Sequence, residues 1–165
     1  MDFDRFVNDS AAGLLRTAYL IVWDLQEAED LVQETLIKVA KRWPKVRRMA
    51  HPVAYARRVL VNLALDDKQR RARRRSELTA AQPTPCGHDP SSLIDTHDEL
   101  IAALATLPER QRAVLVLRYF LDLPEAEVAA ALQCSLGTVK STASRGLARL
   151  EQTMRPTNET RSIPT

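Results

Sequence analysis

The chain has 165 residues, of which 45% are apolar, so it can form a real core in one or two domains, and its four glycines and 5% aromatic content favour helices. The formal charge of +3 is unevenly placed: residues 41–75 carry thirteen Lys and Arg against two acids, which favours a polyanionic partner. The N-terminus shows no apolar leader, and no apolar run reaches membrane-spanning length. The sequence therefore predicts a cytoplasmic protein without membrane insertion.

The cysteines and acids do not form a pattern that indicates a metal or cofactor. Cys86 and Cys134 lack the spacing of a zinc site, and free cysteines suit a reducing cytoplasm. A metal-dependent nuclease would need carboxylates that converge on one ion. The acids of residues 24–34 are instead spread around a predicted helix start, where they favour the helix dipole. We therefore expect no metal, no cofactor and no catalytic residues.

Two helices are predicted first, over Phe3–Trp23 and Gln26–Trp43, each with apolar residues at helical spacing. The second helix also has an unusual polar side, made of Asp30, Gln33, Glu34 and Ile37. An apolar side chain ringed by acids and an amide is typical of a small protein-binding patch. A single surface isoleucine is equally common, so the residues alone leave both interpretations open.

Pro44 is expected to end the second helix, and a short basic connection, Lys45–His51, leads to a third. That helix is predicted from Pro52 to about Arg75, with its core stripe at Ala56, Val59, Leu60 and Leu63. Another side carries Arg58, Asn62 and Asp66, and the basic end should be solvated or lie along phosphates. Residues 79–96 are rich in Pro and Ser and predict a flexible linker. Residues after Met154 predict a disordered tail.

The last part of the chain predicts helices over Pro108–Phe120 and Pro124–Leu132, then a turn, Gln133–Ser135, and a final helix that Ser135 caps. The apolar side of the final helix is expected at Leu136, Val139, Ala143, Leu147 and Leu150. Its other side carries Thr138, Lys140, Ser141, Ser144, Arg145 and Arg149. Helix, short turn and helix is the helix-turn-helix arrangement, and these side chains can bond base edges or phosphates. The alternative is a packing unit with a solvated third helix.

Three stretches together resemble a known family. AEDLVQETLIKVAKRW (28–43), HPVAYARRVLVNLALDDKQRRAR (51–73) and LPERQRAVLVLRYFLDLPEAEVAAALQCSLGTVKSTASRGLARL (107–150) occur in this order. They are similar to region two, the promoter-melting segment and region four of bacterial RNA polymerase sigma factors of the extracytoplasmic-function (ECF) branch. The opening stretch looks most like an actinobacterial group.

The resemblance implies an all-α fold of two small helical domains, at residues 1–76 and 98–154, joined by a linker at 77–97 and followed by a tail at 155–165. It implies RNA polymerase core and promoter DNA as partners, with an anti-sigma factor as a further candidate. The polymerase core would bind Asp30, Gln33, Glu34 and Ile37. The melted minus-ten strand would bind Arg47, Arg48, His51, Arg58, Asn62 and Asp66. The duplex minus-thirty-five element would bind the polar side of the final helix, at Thr138, Lys140, Ser141, Ser144, Arg145 and Arg149.

Some positions depart from the family pattern. Ser144 and Gly146 stand where the family often has arginine, and Tyr55 is the only aromatic residue near the promoter-melting segment. Capture of bases would then depend on polar contacts and pocket shape more than on stacking. The alternative function is a helix-turn-helix regulator that binds duplex operators without polymerase. It explains the C-terminal half of the chain but neither the basic segment nor the surroundings of Ile37.

Overall fold

The structure, a computed structural model, describes residues 2–66 and 98–155, and the regular structure within these ranges is helical throughout. The N-terminal half consists of α1 (Phe3–Val22), α2 (Leu25–Lys41), α3 (Trp43–Val46) and α4 (Pro52–Leu65). The C-terminal half consists of α5 (Asp98–Ala105), α6 (Glu109–Leu115), a π-helical turn (Val116–Phe120), α7 (Glu125–Leu132) and α8 (Leu136–Met154). The predicted all-α class with a C-terminal helix-turn-helix is confirmed.

Short polar side chains bond to the backbone at the start of α2 and inside α1. The Asp24 carboxylate accepts a hydrogen bond from the Glu27 backbone N–H at 2.8 Å and caps α2. Ser10 does not interrupt α1, because its hydroxyl donates to the Phe6 carbonyl at 2.6 Å and the helix continues through it. α1 packs against both α2 and α4 and so forms the centre of this half.

Two predicted boundaries in the N-terminal half were wrong. The second helix ends at Lys41, and Trp43 begins the short α3, where its ring packs against Phe3 and Phe6 with centroids 5.2 and 5.1 Å apart. The segment predicted as a basic connection is therefore partly helical. The third helix ends at Leu65, because Asp66 is extended, at φ −79° and ψ 94°. The basic residues from 67 onward, the predicted linker and most of the predicted tail lie outside the described residues.

The core side of α8 also differs from the prediction. Leu136 and Leu147 are 49% and 44% exposed, whereas Thr142 and Gly146 are buried together with Val139, Ala143 and Leu150. Gly146 explains the difference, because a Cβ there would lie 3.1 Å from the Leu115 Cδ1 atom of α6. The lack of a side chain lets α6 and α8 approach closely. Gly146 is thus a packing position, where any larger residue would require the Leu115 side chain to shift.

The two halves pack against each other. α4 contacts α7 and α6, and α1 contacts α6 and the π-helical turn. Consequently all six residues from Thr17 to Val22 of α1 are buried, which one neighbouring layer could not achieve. The core stripe predicted for α4 holds for Ala56, Leu60 and Leu63, while Val61 and Ala64 are buried as well. This second buried side of α4 lies toward the C-terminal half.

Candidate nucleic-acid interface

The turn of the helix-turn-helix is built by backbone bonds and one serine. Gln133 ends α7 in the left-handed region, at φ 51° and ψ 47°, and the Cys134 N–H donates to the Ala129 carbonyl at 3.0 Å. The Ser135 hydroxyl then accepts the Thr138 backbone N–H at 3.1 Å, so the predicted cap of α8 is confirmed. These contacts fix the angle at which α8 leaves α7.

The polar side of α8 faces away from the protein. The five side chains predicted to read duplex DNA beyond the first turn are exposed, namely Lys140, Ser141, Ser144, Arg145 and Arg149. Thr138 is half-buried, and its hydroxyl is hydrogen-bonded to the Ser135 hydroxyl at 2.9 Å. The Arg145 Nε donates to the Ser141 carbonyl at 3.2 Å, which holds the guanidinium along the helix surface. The face therefore presents cations and hydroxyls, which are groups that can bond base edges or phosphates.

One charged group beside α8 was missed by the sequence analysis. The Glu125 carboxylate, in the first turn of α7, lies 3.4 Å from Nη2 of Arg118 and 3.8 Å from Nζ of Lys140. Arg118 comes from the π-helical turn, and its Nη1 also donates to the Leu123 carbonyl at 3.2 Å. No periodic pattern could have revealed this group, because it joins three elements through the bend at residues 121–124.

The residues predicted to hold the melted strand lie around α4. Arg47, Arg48 and His51 are exposed in the turn before the helix, and His51 makes no side-chain capping bond. On the helix Arg58 is exposed and Asn62 is half-buried, and the exposed Asp66 follows its last turn. These six side chains are thus accessible or partly accessible.

Tyr55 lies on the same side of α4 as Asn62, two turns earlier. The Tyr55 ring is half-buried and packs against the core, and its hydroxyl accepts a hydrogen bond from Nη1 of Arg42 at 3.4 Å. The ring is therefore held at the junction of α2, α3 and α4. A half-buried ring offers little surface on which a base could stack.

The other face of α4 carries a charged pair between the halves. Burial lowers the pKa of the Arg57 guanidinium, and the nearby Glu127 carboxylate of α7 opposes that shift. Arg57, Val61 and Ala64 recur at helical spacing, so they share one side of the helix. That side meets the C-terminal half, whereas Arg58 and Asn62 face away from it.

The patch predicted on α2 is brought together as expected from its spacing. Ile37 is 55% exposed, Gln33 is exposed, and Asp30 and Glu34 are half-buried. The Lys38 Nζ atom lies 3.2 Å from Oε1 of Glu34, one turn earlier on the same helix. Ile37 also borders an open groove of about 560 Å³ whose lining is mostly apolar: Phe3, Asp4, Val7, Asn8, Leu36, Ile37 and Ala40. A single surface isoleucine would not by itself form an apolar groove. The groove therefore favours the interpretation of this side of α2 as a protein-binding patch.

Within residues 2–66 and 98–155, no three His, Cys, Asp or Glu side chains are arranged to hold a metal ion. Over the same part of the chain, no helix has the length and apolar character needed to cross a bilayer.

The fold and this face define a two-domain helical protein with a helix-turn-helix of the DNA-binding type. Comparison with known proteins makes the class specific. Residues 6–75 match the family model for sigma-70 region 2, and residues 97–150 match that for sigma-70 region 4.

Similar proteins agree over nearly the whole chain. The RNA polymerase sigma-E factor of Streptomyces avermitilis is 36% identical over 155 residues, covering 92% of this chain and 84% of that protein. The ECF RNA polymerase sigma factor SigL of Mycobacterium tuberculosis is 31% identical, covering 93% and 89%. The sigma factor RpoE of Bartonella quintana, solved with the anti-sigma factor NepR, superposes with a TM-score of 0.71 at 24% identity and covers 92% of this chain and 96% of its own, which shows a common fold.

This chain belongs to the RNA polymerase sigma factor family, in its extracytoplasmic-function branch. The predicted resemblance, including the likeness to actinobacterial members, is confirmed. The prediction of a sigma factor is favoured over that of an independent operator-binding regulator, because a region 2 domain accompanies the helix-turn-helix.

Proposed function

We propose that this protein binds RNA polymerase core and directs it to promoters, where α8 reads the upstream element as duplex and the α4 region holds the downstream element as melted strand. The observation that carries the proposal is the open polar face of α8 on a chain whose other half is a region 2 domain. The protein supplies specificity and strand capture, while the polymerase supplies catalysis. It would act in the cytoplasm, where core polymerase and promoter DNA are found.

The upstream contact would be made by Thr138, Lys140, Ser141, Ser144, Arg145 and Arg149. The first helix of a helix-turn-helix crosses the DNA backbone while the second enters the major groove. Lys and Arg can meet guanine edges, and serine and threonine hydroxyls can bond several bases. Leu136, which is 49% exposed at the start of α8, could add an apolar contact to a thymine methyl group.

The downstream contact would be made by the exposed cations Arg47, Arg48 and Arg58, together with His51, Asn62 and Asp66. The cations offer attraction to the strand backbone, and the amide and carboxylate can bond unpaired base edges. A base removed from its stack is stabilised by such a protein site, which is how capture can drive strand separation.

The polymerase contact would be made by Asp30, Gln33, Glu34 and Ile37. Charged and amide groups around one exposed isoleucine resemble the polar rim and apolar centre of a protein interface. Ile37→Glu should weaken core binding at least tenfold, because a new carboxylate would have to be desolvated at the centre of the contact. Titration of labelled polymerase core measures this effect. The matched control is Leu147→Glu, which changes another exposed apolar residue far along the chain. An equal loss of affinity for the polymerase core in both variants would contradict the proposed contact at Ile37.

The closely packed halves cannot reach both promoter elements at once. Elements centred about 25 base pairs apart lie roughly 85 Å apart along duplex DNA at 3.4 Å per step, whereas α4 and α7 are in contact. We therefore propose that the halves separate when the protein joins the polymerase. Their tether would then make two weak DNA contacts act together through effective concentration. An anti-sigma partner belongs to the same proposal, because the Bartonella quintana protein of this fold was solved with one.

Run-off transcription tests the proposal. Purified core polymerase is combined with a fragmented genomic library, with and without this protein, and the transcripts are sequenced. We expect transcripts that require the protein and share two upstream sequence elements. Absence of such transcripts, together with sequence-specific binding of the protein alone to duplex DNA, would support the operator-binding regulator instead.

A further inference from the structure

Glu125 is a carboxylate beside the duplex-reading face, and it bridges two cations. Its Oε1 lies 3.4 Å from Arg118 Nη2, and its Oε2 lies 3.8 Å from Lys140 Nζ. The three side chains come from the π-helical turn, from α7 and from α8. A phosphate backbone repels a carboxylate, so an acid beside a DNA-reading lysine acts against DNA binding unless it serves another purpose.

The group is fixed on one side and open on the other. The Arg118 side chain is 29% exposed and the Glu125 side chain 33%, whereas that of Lys140 is 66% exposed. Arg118 is also held by the Leu123 carbonyl at 3.2 Å and lies 5.8 Å from the centre of the Tyr119 ring. Arg118 therefore anchors the carboxylate, which lies within ion-pair distance of the exposed Lys140 ammonium.

We infer that Glu125 is a positioning residue that increases the sequence specificity of the duplex-reading face, by holding Lys140 in an orientation that suits a correct base edge and opposing its movement to a phosphate. This inference rests on the proposed function of α8. On an unrelated duplex Lys140 can gain only a phosphate contact, and it must give up part of its carboxylate pairing to do so. On the correct element the Lys140 ammonium, which has three N–H donors, can keep its carboxylate partner and also donate to the base edge, so the pairing is not lost. Specificity is a difference of affinities, so a group that penalises the wrong partner increases it.

Glu125→Gln tests the inference in the full chain. Binding is measured by fluorescence anisotropy, over a range of salt concentrations, to a duplex carrying the upstream element found by run-off transcription and to a scrambled duplex. We expect affinity for the scrambled duplex to rise by up to about fivefold, the range of a partly exposed ion pair. The slope of log affinity against log salt should become steeper by about 0.9 if Lys140 gains one phosphate. Affinity for the correct element should change less, so the ratio of the affinity for the correct element to that for the scrambled duplex should fall.

Glu151→Gln is the matched control. It removes one negative charge from the same helical domain, but Glu151 pairs with Arg155 at 2.9 Å near the end of α8. A rise in affinity of the same size in both variants would reduce the effect to net charge and overturn the inference. A second comparison uses Lys140→Ala, in which Glu125→Gln should no longer change the salt slope; a persisting change would assign the effect elsewhere.

The outcomes also separate this inference from the proposed function. If the unaltered protein prefers the upstream element and Glu125→Gln behaves as Glu151→Gln, only the inference fails. If the unaltered protein binds both duplexes alike, α8 does not read sequence and both fail.

Discussion

α8 and α4 are the two helices proposed to read DNA, and the structure holds them in different ways. α8 is buried along one side by α6 and α7, and the opposite side is open over its whole length. α4 is buried along two sides, one against α1 and α2 and the other against α7 of the other half. The reading face of α8 is thus fixed within its own domain, while the surroundings of α4 depend on whether the domains are together.

This difference bears on how each helix works. α8 could meet duplex DNA without any rearrangement, because its cations and hydroxyls are already exposed. α4 would change its neighbours when the halves separate, and the apolar Val61 would then need another cover or contact water. Domain separation therefore costs burial on the α4 side, and binding to the polymerase would have to supply that free energy.

Replacing Val61 should have the largest effect on the difference between α4 and α8, because it acts on the second buried side of α4. Val61→Glu places a carboxylate on the side of α4 that meets the C-terminal half, where Val61 is fully buried. The penalty for a buried, unpaired charge is about 3 kcal/mol or more, and separation of the halves would relieve it. We expect a larger radius of gyration by small-angle X-ray scattering with unchanged helix content by circular dichroism. Val53→Glu, at a position already 40% exposed on the same helix, is the control.

Loss of helix content in Val61→Glu would contradict this prediction. It would mean that Val61 stabilises the N-terminal domain itself, so that the second buried side of α4 is intrinsic to that domain.

The same contrast explains what the sequence could and could not predict. The Ser135 cap, the turn and the polar face of α8 depend on residues within a few turns, and these predictions were confirmed in the fold. The burial of Val61 and Ala64 depends on a partner about 65 residues away in the chain, which no periodic pattern contains. The packing role of Gly146 could not be predicted for a related reason: it depends on Leu115 of another helix. The assignment of base-reading and polymerase-binding residues stays a prediction.

The packing of α8 against α6 can be tested at Gly146. Gly146→Leu should destabilise the C-terminal domain by about 1–3 kcal/mol, because even a Cβ would meet Leu115 at 3.1 Å and a larger side chain would overpack the contact. Urea denaturation measures the loss. Gly137→Leu is the matched control on the same helix, since a Cβ there meets only the Ser135 hydroxyl at 3.8 Å. Equal stabilities would show that α6 can move away from α8 without cost.

The open face of α8 is tested by Arg145→Ala. If Arg145 reads a base edge through two hydrogen bonds, binding to the upstream element should weaken by about 1–3 kcal/mol and discrimination at one base pair should relax. Competition binding against single-base variants of the element measures both effects. A uniform loss on every sequence, with a shallower salt dependence, would instead make Arg145 a phosphate contact.

The smallest expected effect concerns the charged pair across the domain contact. Burial lowers the pKa of Arg57, and the attraction of Glu127 does not reverse this shift, so the charged guanidinium is held in a less favourable environment than water. Arg57→Met keeps the apolar stem and removes the charge. It should leave the packing of the halves unchanged or stabilise it by less than about 1 kcal/mol, because Arg57 is only half-buried and solvent screens the pair.

The salt dependence of this contact gives the sharper measurement. If attraction to Glu127 held the halves together, added salt would increase the radius of gyration of the unaltered protein and not that of Arg57→Met. We expect both to stay compact, since apolar burial around Val61 is insensitive to screening. Arg58→Met, the exposed neighbour, is the control. A salt-induced expansion confined to proteins that retain Arg57 would show that electrostatics, rather than burial, closes the second side of α4.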